Sequence, residues 1–270
     1  MKLSPTRPRP CIIDVLRGDR QSRPPIDTSS AAGLRAVLED GIYATVSDTP
    51  IDTPIVVRAS SLREAPRTTN LIDSPLARIR GVLIAQLLRL RSVNEPTGDP
   101  YDDAVAAWRA ETNSPGLFAD FARLEPDDLA RLRSDVRAHA HTLHAALGPI
   151  PRQWMVRTNL RVSQRLSAGR VVAHDVLDLL IGETGPEQSS VALLDLTSAP
   201  LAEGAERVLR YHALVQTLRT SVAPLRSAVF SSATGELWSL DVTNELLMRG
   251  AGELLDAIES LWRSRSTTPP

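Results

Sequence analysis

The sequence predicts an α+β protein with one central, mostly antiparallel sheet flanked by helices and an inserted helical subregion. Three observations predict it. Between Pro75 and Leu147 apolar residues recur at helical spacing, and from Trp154 onward the period changes to two. The stretch from Gly169 to Ser198, GRVVAHDVLDLLIGETGPEQSSVALLDLTS, then carries two apolar runs separated by the turn residues Gly182, Gly185 and Pro186.

Taken in order, residues 1–25 are rich in proline and arginine and read as a flexible arm, apart from the apolar piece Cys11 to Leu16. A helix is expected from Asp27 or Thr28 to Asp40, with Leu34, Val37 and Leu38 as its apolar stripe and Gly41 as its stop. Ile55 to Val57 suggest a short strand, and Ser60 to Asp73 a loop. Ser74-Pro75 opens a helix reaching Arg91, with Leu76, Ile79, Leu83, Leu87 and Leu90 on one face. Two short helices carry Trp108, Phe118 and Phe121. Pro126-Asp127-Asp128 starts a stronger helix, its acidic residues placed where the dipole favours them, and Gly148-Pro149 ends it.

From Trp154, Val156, Leu160, Val162 and Leu166 alternate with Arg157, Arg161 and Arg165 as in a half-buried strand. The hairpin follows. After it come a helix from Leu201 to Thr220, strands at Arg226–Ser231 and Leu237–Val242, and an amphipathic helix from Asn244 to Trp262. The expected organisation is an arm over 1–25, one α+β domain over 26–263 and a tail over 264–270. Within the domain, 74–148 is the helical subregion and 154–243 the sheet core.

Composition narrows the function classes. The chain has 270 residues, enough to bury a core, with 42% hydrophobic and 23% charged residues, which is ordinary for a globular protein. A net charge of −1 makes no global case for nucleic acid or membrane, so any such role must rest on local patches. Cys11 is the only cysteine, which excludes an internal disulfide and a cysteine-built zinc site. There is no apolar run of bilayer length and no apolar segment after the basic N-terminus, so no membrane role is expected and the protein is placed in the cytoplasm. Lys2 is the only lysine, which removes lysine from every catalytic argument further along.

The residues with chemical content lie in the hairpin. Folding it about the point between Pro186 and Glu187 sets Asp178 opposite Asp195. Directly opposed residues have Cβ atoms about 4.5–5.5 Å apart. Two carboxylates so close on an apolar ribbon repel unless one is protonated or a cation lies between them. Asp175, three residues before Asp178, falls on the opposite face and reads as a surface residue. His174 shares a face with Asp178 and is either a supporting partner or a plain structural histidine.

The order of elements and these residues resemble the PD-(D/E)XK nuclease superfamily, its RecB-like branch in particular. VLDLLIG resembles that family's second-strand motif and sets Asp178 at its metal-binding aspartate. LLDLTS resembles the third-strand D/E-x-K motif and sets Asp195 at its acidic position. The resemblance implies a restriction-endonuclease-like core, a Mg²⁺ or Mn²⁺ site held by Asp178 and Asp195, and DNA as a partner. The departures imply a degenerate centre. The lysine position holds Thr197, whose uncharged hydroxyl cannot offset charge beside a phosphate. RGVLIAQ resembles a segment carrying histidine four residues after Gly81, and here that position is Ala85. A glutamine-and-tyrosine pattern on the following helix would fall on Tyr211 or His212, with Arg207 or Val208 in place of the glutamine.

Other features carry less. His139, His141 and His144 invite a metal reading, but two histidines on one face with no acidic ligand between them are weak evidence. Arg157, Arg161 and Arg165 form a stripe that could follow a phosphate backbone, or be a solvated face. The expectation is a catalytically weak or inactive PD-(D/E)XK binding module for DNA or a protein partner. The alternatives are a working Mg²⁺- or Mn²⁺-dependent nuclease using Asp178, Asp195 and Thr197, and a purely structural interaction protein.

Overall fold

The computed structural model describes residues 10–18, 28–46, 53–62, 74–93, 98–111, 115–151, 154–183 and 190–266. In chain order the elements begin with α1 (Ile12–Arg17), α2 (Thr28–Val46), β1 (Ile55–Arg58), α3 (Pro75–Ser92) and α4 (Pro100–Glu111). They continue with α5 (Pro115–Ala122), α6 (Pro126–Leu147), β2 (Val156–Leu166), β3 (Val171–Ile181) and β4 (Ala192–Thr197). The last are α7 (Ala205–Thr220), β5 (Arg226–Ser231), β6 (Leu237–Asp241) and α8 (Asn244–Ser266). The fold is α+β, with a six-stranded, mostly antiparallel sheet.

β3 is the hub of that sheet. Along one edge it pairs antiparallel with β2 from Val171 to Ile181. The other edge is shared: β1 runs parallel to Val171–His174, and β4 runs antiparallel to Leu179–Ile181. The sheet continues from β4 to β5, parallel, and from β5 to β6, antiparallel. Residues 175–178 of β3 therefore face a gap between β1 and β4. The register Leu179↔Leu194, Leu180↔Leu193 and Ile181↔Ala192 is the one expected from the sequence, and its next step would be Asp178 opposite Asp195. The ladder ends one residue short of that pair. The Gly185-Pro186 turn lies outside the described residues.

Helices cover both faces. α2, α7 and α8 close over Val162, Val171, Ala173, Leu177, Leu180 and Leu193. α1 and α3–α6 close over Leu179, Ile181, Ala192, Leu194, Ala228 and Phe230. Inside the arm expected over 1–25, the apolar piece forms α1 and buries Ile12, Ile13 and Leu16 against this second core. Local signals account for the helix starts. The Ser74 hydroxyl accepts the Ala77 N–H at 3.2 Å ahead of Pro75, and Asp127 and Asp128 occupy the first turn of α6.

Two ends depart from expectation. Gly41 does not stop α2, which runs on to Val46. A Cβ there would stand 2.7 Å from a Leu255 methyl, so the glycine lets α2 and α8 approach. α8 continues past Trp262 to Ser266, where Arg263 pairs with Glu259 and the Arg265 guanidinium donates to the carbonyls of Thr53 and Pro54.

The pleat of β2 and β3 changes sides midway. Up to Leu177, the odd-numbered residues Val171, Ala173 and Leu177 face the α7 side; beyond Asp178, Leu179 and Ile181 face the α3 side. β2 switches with it, Leu160, Val162 and Leu166 facing α7 while Val156 faces α3. The switch falls at Asn159, which would stand opposite Asp178 and has a φ of 50°, a left-handed conformation unusual within a strand. It divides the expected arginine stripe. Arg161 stays with Ser163 and Arg165, whereas Arg157 turns to the other side, close enough to Arg219 to help burial lower that guanidinium's pKa.

Gly182, at the end of β3, has a φ of 87°, and a Cβ would sit 2.2 Å from the Ser190 carbonyl oxygen. Gly182→Ala should therefore lower stability by at least about 1–3 kcal/mol, the usual cost of a strained backbone position, read from urea unfolding midpoints.

Candidate functional site

The gap in the β3 edge is filled with ionisable groups. Asp178 reaches across it, one carboxylate oxygen accepting the Leu196 N–H of β4 at 2.7 Å. Asp195, in the neighbouring position on β4, faces α7, with an oxygen 3.8 Å from Nε2 of His212. The other imidazole nitrogen, Nδ1, donates to Asp175 at 2.7 Å. Just before it on α7, the Tyr211 hydroxyl lies 2.9 Å from the Val57 carbonyl and 3.0 Å from the His174 carbonyl, tying β1 to β3 above the gap.

Asp175 is thus not a surface residue. It does face away from Asp178, but that side is covered by α7, and Asp175 is only 2% exposed. The signal was its parity with Val171, Ala173 and Leu177, which are core residues. His212 was equally legible as a polar residue inside an apolar helical run, 2% exposed and in need of a buried partner. His174 has the structural role: its Nδ1 is bonded to Ser163 across the strand pair at 2.9 Å.

The electrostatics follow from this placement. Burial raises the Asp178 carboxyl well above the usual carboxylate range, and the neighbouring charge of Asp195 adds to the effect. Burial works against a charged His212. Asp175, by its charge and hydrogen bond, and Asp195 outweigh it and raise the imidazole to about 10. At neutral pH the His212 imidazole is therefore an imidazolium, set between Asp175 and Asp195.

On the α3 side Asp178 lines a cleft of about 170 Å³. Val82, Ala85, Gln86 and Arg89 of α3 form one wall, Thr158, Asn159 and Arg161 of β2 the other, and Trp108 and Glu111 of α4 close an end. Gln86 donates to Glu111 at 2.6 Å and accepts from Arg89 at 3.1 Å, while Arg89 pairs with Glu111 at 3.2 Å. That cluster was not legible in the sequence, because its members come from separate helices. Ala85 opens onto the cleft that Asp178 lines. Thr197 is occupied locally: its hydroxyl accepts the Ala199 N–H at 3.1 Å, and its carbonyl accepts from the N–H and hydroxyl of Ser232.

Asp178 and Asp195 could each offer carboxylate oxygens to a divalent cation. Mg²⁺ and Mn²⁺ prefer oxygen-rich shells, and burial raises the Asp178 carboxyl while Asp195 faces the His212 imidazolium. Among the described residues no group of three or more His, Cys, Asp or Glu side chains is placed to hold a metal ion. The donor set on its own falls short of such a site. The α6 histidines do not supply one either: His139 is buried against the Ser232 hydroxyl at 3.0 Å, and His141 and His144 are exposed.

No protein family model and no curated protein matches this chain. Among solved structures it is similar to SSO0001, at 10% identity and a TM-score of 0.30, over 83% of this chain and 84% of that one. It is also similar to Rai1 of Scheffersomyces stipitis, at 11% identity and a TM-score of 0.27, over 88% of this chain and 68% of that one. Likenesses at this level leave the argument with the site itself. Among the described residues no helix is long and apolar enough to cross a membrane.

Removing one partner of a buried ion pair strands the other, so Asp175→Ala should cost about 3–5 kcal/mol of unfolding free energy. The pH dependence has a definite sign. A folded-state pKa of about 10 for His212, above the ordinary value of 6.5, gives stability that is full below 6.5 and lost as pH rises toward 10. The raised Asp178 acts in the same direction from pH 3.8 upward. Urea unfolding should show stability falling between pH 7 and 10 in the wild type, and a flatter profile in His212→Gln.

Proposed function

We propose that this chain is a PD-(D/E)XK-like domain of the RecB-like type whose hydrolytic centre is degenerate, and that it works as a DNA-binding module. The observation that carries this reading is the strand fork: Asp178 and Asp195 reach the same level where β4 leaves β3, beside a cleft. Three features support loss of hydrolysis. Thr197 stands at the lysine position and caps its own turn, Ala85 offers only a methyl to the α3 wall, and burial shifts the Asp178 carboxyl toward its neutral form. A neutral carboxyl is a poor metal ligand and a poor base.

The test restores the missing charge. The wild type should show no Mn²⁺-dependent cleavage of single- or double-stranded DNA, and Thr197→Lys should gain it. No gain in a folded Thr197→Lys protein would count against the motif placement. Calorimetry with Mn²⁺ should detect no tight binding to the wild type. Tight binding lost in both Asp178→Ala and Asp195→Ala, together with wild-type cleavage, would establish the working metal-dependent nuclease instead.

A further inference from the structure

The change of face in β2 and β3 leaves the first half of β3 and the second half of β2, with β1, open to solvent on the α3 side. Three rows cross this surface. Val56, Val172 and Arg165 form one, Arg58, His174 and Ser163 the next, and Val176 and Arg161 the last. The side chains share a face because Ile55, Val57, Val171, Ala173, Val162 and Leu166, which alternate with them, are all in the opposite core. Arg58, Arg161 and Arg165 are exposed. Among the described residues, none of these guanidinium groups has a carboxylate partner, whereas Arg80, Arg133, Arg137, Arg210 and Arg226 all do. Three free cations on an open face of small valines form a built positive surface within a chain of net charge −1. Arg161 also lines the Asp178 cleft, so surface and cleft are continuous.

From this juxtaposition we infer that the open β1–β3–β2 face is the path of a single-stranded nucleic acid, held by its phosphates and running toward the Asp178 cleft. The inference rests on the DNA-binding reading above and deepens it. Its occupant follows from charge and size. Exposed guanidinium groups without partners match a regularly charged polyanion, and their planar forks suit phosphate oxygens. Arg161 and Arg165 are four residues apart on one strand, about 13 Å, so they meet different phosphates of one chain. A cleft of about 170 Å³ is smaller than the usual 300–1,000 Å³ of a drug-sized pocket, a size that suits a short length of one extended chain. Among the described residues the face carries valines and a histidine but no Trp, Tyr or Phe to stack bases, so recognition is of the backbone and independent of sequence.

The experiment is fluorescence anisotropy of a dye-labelled oligothymidylate titrated with the full chain over a salt series. With about 0.7 counterions released per neutralised single-strand phosphate, three arginines give a log–log salt slope of about −2. Arg58→Ala, Arg161→Ala and Arg165→Ala should each reduce that slope by about 0.7, with melting temperature unchanged and Arg249→Ala on α8 as the neutral control. An unlabelled duplex and polyglutamate should compete poorly. A flat salt response, or slopes that ignore these substitutions, overturns the inference. Equal competition by duplex overturns the single-strand assignment, and equal competition by polyglutamate replaces nucleic acid with an acidic polypeptide. The two readings separate: cleavage by Thr197→Lys with a flat salt response leaves the fork and removes the surface. A steep response with an inert Thr197→Lys does the reverse.

Discussion

The rest of the structure depends on the imidazole of His212 lying between Asp175 and Asp195. A carboxylate as deeply buried as Asp175 is costly unless it is both paired and hydrogen-bonded. Its partner is a charged donor on α7, and that bond fixes the helix against the middle of β3. Tyr211, one residue earlier, ties the same helix to the carbonyls of Val57 and His174. α7 thus covers the stretch of β3 that neither β1 nor β4 pairs with. Without it the sheet would have an open slot in its centre; with it, the slot holds a compact set of charges.

That slot explains why β3 carries such different chemistry along its length. At either end its edge is satisfied by a ladder, and the side chains other than His174 are aliphatic. In the unpaired middle, Asp175 and Asp178 face opposite ways, one into the α7 layer and the other toward the cleft. The left-handed Asn159 belongs to the same arrangement. By turning the pleat of β2 and β3 together, it lets one half of the ribbon bury the odd-numbered residues of β3 and the even-numbered ones of β2 under α7, and the other half bury them under α3. A single regular pleat would have left Leu179 and Ile181 on the wrong side of their core. The open basic face is the other consequence of that turn.

Much of this was legible in the sequence because it follows from periodicity. The helical subregion, the β2–β3–β4 meander and the hairpin register come from spacing and turn residues, and the register held to the residue. What escaped has physical reasons. Strand alternation says only that Asp175 and Asp178 point apart; it does not say that both faces are covered, which depends on α7 arriving from thirty or more residues later. The arginine stripe assumed an unbroken period of two, and Asn159 carries no sequence signal strong enough to mark a reversal. Gly41 looks like a helix stop because close helix packing and termination both call for glycine. The Gln86–Glu111–Arg89 cluster joins two helices across a distance in sequence that no local pattern spans.

The position of the compensating charge bears on what the fork can do. His212 neutralises the carboxylates from the α7 side, 3% exposed, and cannot advance toward a phosphate lying in the cleft on the other side of the sheet. A lysine at position 197, or a metal ion between Asp178 and Asp195, would act at the fork itself; an imidazolium buried behind Asp195 stabilises the protein rather than a transition state. Toward the cleft, the fork presents Asp178, its carboxyl pKa raised by burial, with Arg161 in the same lining. Under the proposed DNA-binding reading, a carboxyl that burial shifts toward its neutral form, set beside a guanidinium, would hold a phosphate backbone while being a poor base to attack it. On this reading the same buried pair that makes the fold stable also leaves the cleft suited to holding a strand and not to cutting it.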